Sequence, residues 1–303
     1  MQALLMRPLR EMMQTLRASP VFVFAVLLTL ALAALNGLMV ILMALRLDFL
    51  LPGAFARMAH FTTEIHRTHD LTFSFIFIPA VVGMLAQLRR PAQNVAGQAM
   101  AVIPALGLLL TAVLTFVLSS NASTLQPPWI TVGMAALIAA VLHPTWRDFF
   151  RSFSVSRVNW VMLALVIIAA VPLLAFASAN IRLQGTVADI HAAPGHYGFM
   201  AAFGFTIIGV GLLASLRPDG WRLTAWVAGL LPVLLGLTSM VYPDATSSLG
   251  LAWALAAIAW GVGFVAATHL TRQPGATERT SIAGRADDTG VGHERESTPG
   301  TPR

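Results

Sequence analysis

Eight times along this chain an apolar run approaches the length of a membrane span, near 21–45, 71–88, 98–118, 129–142, 158–178, 198–216, 222–241 and 248–268. A helix crossing about 30 Å of hydrocarbon needs about 20 predominantly apolar residues. The expected fold is therefore all-α, an integral membrane protein of eight transmembrane helices. The run 129–142 is the shortest, and it closes the bilayer only by borrowing Pro127, Pro128 and residues 143–146.

Composition agrees. The chain is 57% hydrophobic and only 11% charged, against about 25% charged in a soluble domain. Its partner is the lipid bilayer. The formal charge of +6 does not point to nucleic acid, because the arginines flank apolar runs and form no basic stripe. Two absences exclude whole chemistries. Without cysteine there is no disulfide, thiolate nucleophile, iron–sulfur cluster or Cys-ligated zinc. Without lysine there is no Schiff base and no Walker-type phosphate lysine.

Arginine position sets the expected orientation. Arg7, Arg10 and Arg17 precede the first run, Arg89 and Arg90 follow the second, and Arg147, Arg151 and Arg157 follow the fourth. Arg217 and Arg222 bracket the loop after the sixth run, and Arg272 follows the eighth. These are alternate loops, so the positive-inside rule puts both termini in the cytoplasm. In the opposite loops positive charge is absent or offset: 242–247 has only Asp244, and Arg46, Arg57 and Arg67 are offset by Asp48, Glu64 and Asp70. High arginine and alanine usage points to a prokaryotic cytoplasmic membrane.

Residues 1–18 read as a cytoplasmic amphipathic segment lying in the headgroup plane, with Leu5, Leu9 and Leu16 set against Arg7, Arg10 and Arg17. Ser19-Pro20 supplies a helix N-cap and a first-turn proline. Residues 271–303 turn polar and rich in Gly, Pro and Thr, and read as a disordered cytoplasmic tail.

Between these ends the sequence repeats itself at a spacing of roughly 125–128 residues. Glu64-Ile65-His66 answers Asp189-Ile190-His191, and His69 answers His196. Gly83 through Arg89 answers Gly211 through Arg217, and Pro104 answers Pro232. The expected organisation is two pseudo-repeated four-helix halves, 19–150 and 151–270. Four is even, so both halves share one orientation and are related by an axis along the membrane normal. Both histidine-bearing segments then face the extracytoplasmic side.

No run carries an ionisable residue near its middle; Asn36 is the most polar group at depth. Proton-coupled pumps, ion exchangers and voltage sensors need such groups. Polarity gathers instead at the outer mouths of the second and sixth runs, in His60, Glu64, His66, Arg67, His69 and Asp70, and in Asp189, His191 and His196. Histidines and acids are common where helices leave a bilayer, but their paired placement in both halves favours a site. His66 and Asp70 share a helix face, as do His66 and His69. Such spacing supplies imidazole ligands with carboxylates to bind or orient them.

Two cofactor classes follow. A divalent metal, zinc or copper, would take His69 and His196 as facing ligands, with Glu64, His66, Asp70, Asp189 and His191 completing or tuning the site. Haem would be held between His69 and His196 as axial ligands, with Arg67 or Arg182 for its propionates. The layout resembles that of the haem A synthases, membrane enzymes of two four-helix halves with an acid and a His-Arg pair opening the second helix of each. Glu64-Ile65-His66-Arg67 is similar to that motif, and the resemblance implies haem as the cofactor. The acid-to-His spacing is shorter here, no Arg follows the second-half histidines, and 127–133 and 244–252 lack the family's further histidines. The resemblance is one of architecture.

Two other functions are compatible with these residues. A permease for a small, weakly polar solute would use the matched Pro104 and Pro232 to open a site between the halves. A packing or assembly subunit would use Gly204, Gly209 and Gly211 to approach other membrane subunits.

Overall fold

The computed structural model describes residues 13–14, 17–45, 67–89, 91–120, 127–146 and 151–271, and these are helical with no strand. The helices are α1 (Pro20–Ala44), α2 (Arg67–Phe75), α3 (Ile78–Gln87), α4 (Val95–Ser119), α5 (Pro127–Val141), α6 (Trp160–Thr186), α7 (His196–Leu216), α8 (Trp221–Val241) and α9 (Gly250–Leu270). Seven helices are long and apolar enough to cross a membrane, with α2 and α3 counted together as the single span Arg67–Gln87. The chain is a multi-pass membrane protein. Its surface agrees: Phe24, Val117, Trp160, Val171 and Leu251 are all more than half exposed, which only lipid tolerates on this scale.

Each helix follows from local sequence. Ser19 takes the N-cap position of α1 with Pro20 behind it, although its hydroxyl makes no capping bond. Asn159 does cap α6, its side chain accepting from the N–H groups of Val161 and Met162. The break between α2 and α3 sits just before Pro79, which has no N–H to continue the ladder. There the bonding tightens, and Phe77 N–H donates to Ser74 rather than one residue further back.

α5 is 15 residues long, about 22 Å at 1.5 Å per residue, which is short of a full crossing. α6 departs from the sequence expectation in the other direction. It continues past 178 to Thr186, carrying Asn180, Arg182 and Gln184 on its last two turns. The amphipathic segment 1–18 lies almost wholly outside the described residues, and residues 272–303 lie outside them.

The centre of the bundle is α7, which packs against α6, α4, α8 and α2. α1 packs on α2, α3 and α5, while α8 pairs most extensively with α9. That last pair is close because Gly229 faces Gly261: a Cβ on Gly229 would stand 2.6 Å from the Gly261 carbonyl oxygen. At one end of the bundle, Asp219 ties the connecting segments together. Its carboxylate accepts from Arg157 at 2.8 Å and from Ser152 at 3.1 Å, and its carbonyl accepts from Ala96 N–H.

His143 is a structural element of this same end. Its Nδ1 accepts from Thr145 N–H at 3.2 Å, which leaves Nε2 to donate to Gln87 Oε1 at 3.1 Å. Gln87 in turn donates to the Asn94 carbonyl. Burial lowers the His143 pKa against an opposing backbone hydrogen bond at Pro91, so the ring is held neutral.

Candidate functional site

At the opposite end, His69 meets two histidines, His191 and His196, from a stretch of chain more than a hundred residues away. His69 stands in the first turn of α2, His191 in the loop 187–195, and His196 at the start of α7. All three are buried. The His69 and His196 rings are stacked, with centroids 5.5 Å apart and planes inclined by 18°. His191 lies 4.9 Å from His69 and 6.1 Å from His196, centroid to centroid.

The loop that presents His191 is built on Asp189. One carboxylate oxygen accepts from the N–H groups of His191 and Ala192, both at 2.9 Å, an Asx-type turn that reverses the chain. The other accepts from the Tyr197 hydroxyl at 2.7 Å and lies 3.5 Å from His191 Nδ1. Burial pushes the Asp189 pKa up, but the Tyr197, Ala192 and His191 donors outweigh it and hold it at about 2. Asp189 is therefore a fixed negative charge beside His191.

Gly195 closes the turn with φ +82°, a left-handed conformation that costs glycine nothing. Gln184, in the last turn of α6, clamps the loop to α7. Its amide donates to the Ala192 carbonyl at 2.7 Å and accepts from Gly198 N–H at 3.0 Å. That second bond satisfies one of the free N–H groups at the start of α7. His69 Nε2 lies 3.4 Å from the Ser247 hydroxyl, which donates to Asn180 Oδ1 at 2.6 Å.

Of the residues singled out by sequence, His69, His191 and His196 come together, and Asp189 joins them. Asp70 is buried next to His69 in α2, and its Oδ2 has no hydrogen-bond partner among the described residues. Arg67 opens α2 half-buried, and Arg182 is exposed on α6. His60, Glu64 and His66 lie outside the described residues. Tyr197, Gln184, Asn180 and Ser247 were not singled out. Tyr197 is one of two tyrosines in the chain and adjoins His196, a signal that was legible.

Imidazole suits zinc and copper, so the donor types fit a divalent metal. Among the described residues, however, no three His, Asp or Glu side chains already stand in a metal-holding arrangement. Haem fits less well. Bis-axial ligation sets two ring edges against opposite faces of a macrocycle, whereas His69 and His196 face each other plane to plane. The paired prolines are both buried in their helices, and Pro232 also borders a cavity together with Pro172. No family model, no curated protein and no solved structure matches this chain.

Proposed function

We propose that this protein spans a prokaryotic cytoplasmic membrane eight times as two pseudo-repeated four-helix halves, with both termini inside. On this reading its outer mouth carries a histidine site, shared by the halves, that binds a single zinc or copper ion. α5 is the short eighth span. The pattern of helix pairing supports the repeat. α1 packs on α2 and α3 as α6 packs on α7, α4 on α5 as α8 on α9, and α1 on α5 as α6 on α9. Across the halves α4 meets α7 while α8 meets α2 and α3, in keeping with a twofold relation, though α4 also packs on α6 with no comparable packing of α8 on α1 among the described residues.

The observation that carries the metal reading is the convergence of three buried imidazoles drawn from both halves. A mouth that needed only packing would be filled by apolar side chains, which have no ring nitrogens to desolvate on burial. His69, His191 and His196 would hold the ion, with Asp189 orienting His191 and Tyr197 orienting Asp189. Binding requires the stacked rings to turn their nitrogens toward a common point. When bound, copper supplies one-electron chemistry and zinc supplies Lewis acidity.

Elemental analysis of detergent-purified protein, expressed without a metal-binding tag, tests this. Near-stoichiometric copper or zinc is expected, lost in His69→Ala and in His196→Ala and retained in His143→Ala. Metal-free wild-type protein overturns the reading, and near-stoichiometric iron transfers it to haem.

A further inference from the structure

A cavity of about 430 Å³ lies between α6, α8 and α9, lined among others by Pro172, Phe176, Pro232, Trp253 and Trp260. That volume is in the range of small-molecule sites, about 300–1,000 Å³. It reaches along α9 from Leu249 to Trp260, about 16 Å at 1.5 Å per residue. This is close to half of the roughly 30 Å hydrocarbon thickness, so the cavity is one leaflet deep and begins at the histidine end of the bundle.

Its chemistry is graded along that depth. The deep part is apolar and aromatic, and among the described residues no charged side chain lines any of it. The shallow end carries Ser248, whose hydroxyl donates to the Ser239 carbonyl at 3.2 Å. Behind Ser248 stands Ser247, which joins Asn180 to His69. On the opposite wall Pro172 has no N–H, so the carbonyl of Ile168, a lining residue, lacks its usual helical donor.

We propose that this cavity binds a neutral lipid-soluble amphiphile of the quinone class. The ring head sits at the Ser248 end and the apolar tail runs inward past Pro172 to Trp260. No charged side chain among the described lining residues would hold an ionic headgroup, and the flat walls of Trp253 and Phe176, toward the Ser248 end, suit a planar head. This inference rests on the cavity and stands apart from the metal reading.

The test uses full-length protein in phosphatidylcholine nanodiscs, titrated with a short-tailed benzoquinone and read by tryptophan fluorescence, since Trp253 and Trp260 line the cavity. Saturable quenching at one quinone per chain is expected. Ala256→Phe fills the cavity and should weaken that affinity at least tenfold while the melting temperature stays near wild type. Ala169→Phe, from the opposite wall, serves if the first variant does not fold. His196→Ala should keep the saturable phase whatever its metal content. Quenching that rises linearly without saturation, or that is the same in a folded cavity-filled variant, reports partition into the bilayer and overturns the proposal.

Discussion

The Tyr197 hydroxyl donates to Asp189 Oδ2 at 2.7 Å, and this bond joins the start of α7 to the loop that carries His191. The tyrosine is buried and the carboxylate half-buried, so the pair fixes a charge at the edge of the histidine cluster. Hydrogen bonds to a charged partner contribute about 1.5–3 kcal/mol. Tyr197→Phe keeps the ring and removes the donor. It should destabilise the fold by about 1–3 kcal/mol, measured as a lower melting temperature in detergent.

The same bond predicts an acid transition. The Asp189 pKa falls from an ordinary 3.8 to about 2 on folding. A depressed carboxyl pKa contributes stability that is present above the unfolded value and lost as pH falls through the folded one. Asp189 should therefore stabilise the protein fully above about pH 4 and lose that contribution toward about pH 2. Melting temperatures between pH 2 and 5 measure this, and in Tyr197→Phe, where the folded carboxyl is less depressed, the loss should be smaller and complete at a higher pH.

His143 predicts a second window. Its pKa lies below the ordinary 6.5 because burial disfavours the imidazolium. Protonation then favours the unfolded chain once pH drops under about 6.5, and the contribution is lost as pH falls toward the folded pKa. Replacing His143 by Asn should flatten melting temperature against pH in that range. An unchanged profile would contradict the neutral tautomer bonded to Gln87.

Close approach of α8 and α9 is the fourth expectation. A Cβ on Gly261 would collide with the Gly229 backbone, and backbone cannot rotate away as a side chain can. Gly261→Leu should separate the helices and cost about 1–3 kcal/mol as overpacking. Gly263→Leu, where a Cβ meets nothing within 4 Å, should leave the melting temperature near wild type.

Much of this was legible in the amino-acid order because lipid imposes so simple a rule. The long runs became α1, α4, α7, α8 and α9 with ends shifted by only a few residues. Where polar groups sit inside a helix the rule hides them. α6 runs on to Thr186 because Asn180 returns its amide to the Phe176 carbonyl and Gln184 spends its own on the loop. Hydropathy registers neither bond. α2 likewise begins at Arg67, not 71, burying His69 and Asp70 in its first turns. The spacing that suggests a repeat in the sequence points to His69 and His196 directly. Ser247 and Asn180 carried no such signal, since each acts only through a partner distant in sequence.

The central claim is one ion held jointly by histidines from both halves, and equilibrium titration of metal-stripped protein with copper and with zinc tests it most directly. The account predicts one site per chain for at least one of these ions, abolished completely by either His69→Ala or His196→Ala. Half the capacity surviving in each variant would mean two separate sites, and no saturable binding in the wild type would mean none; either result contradicts it.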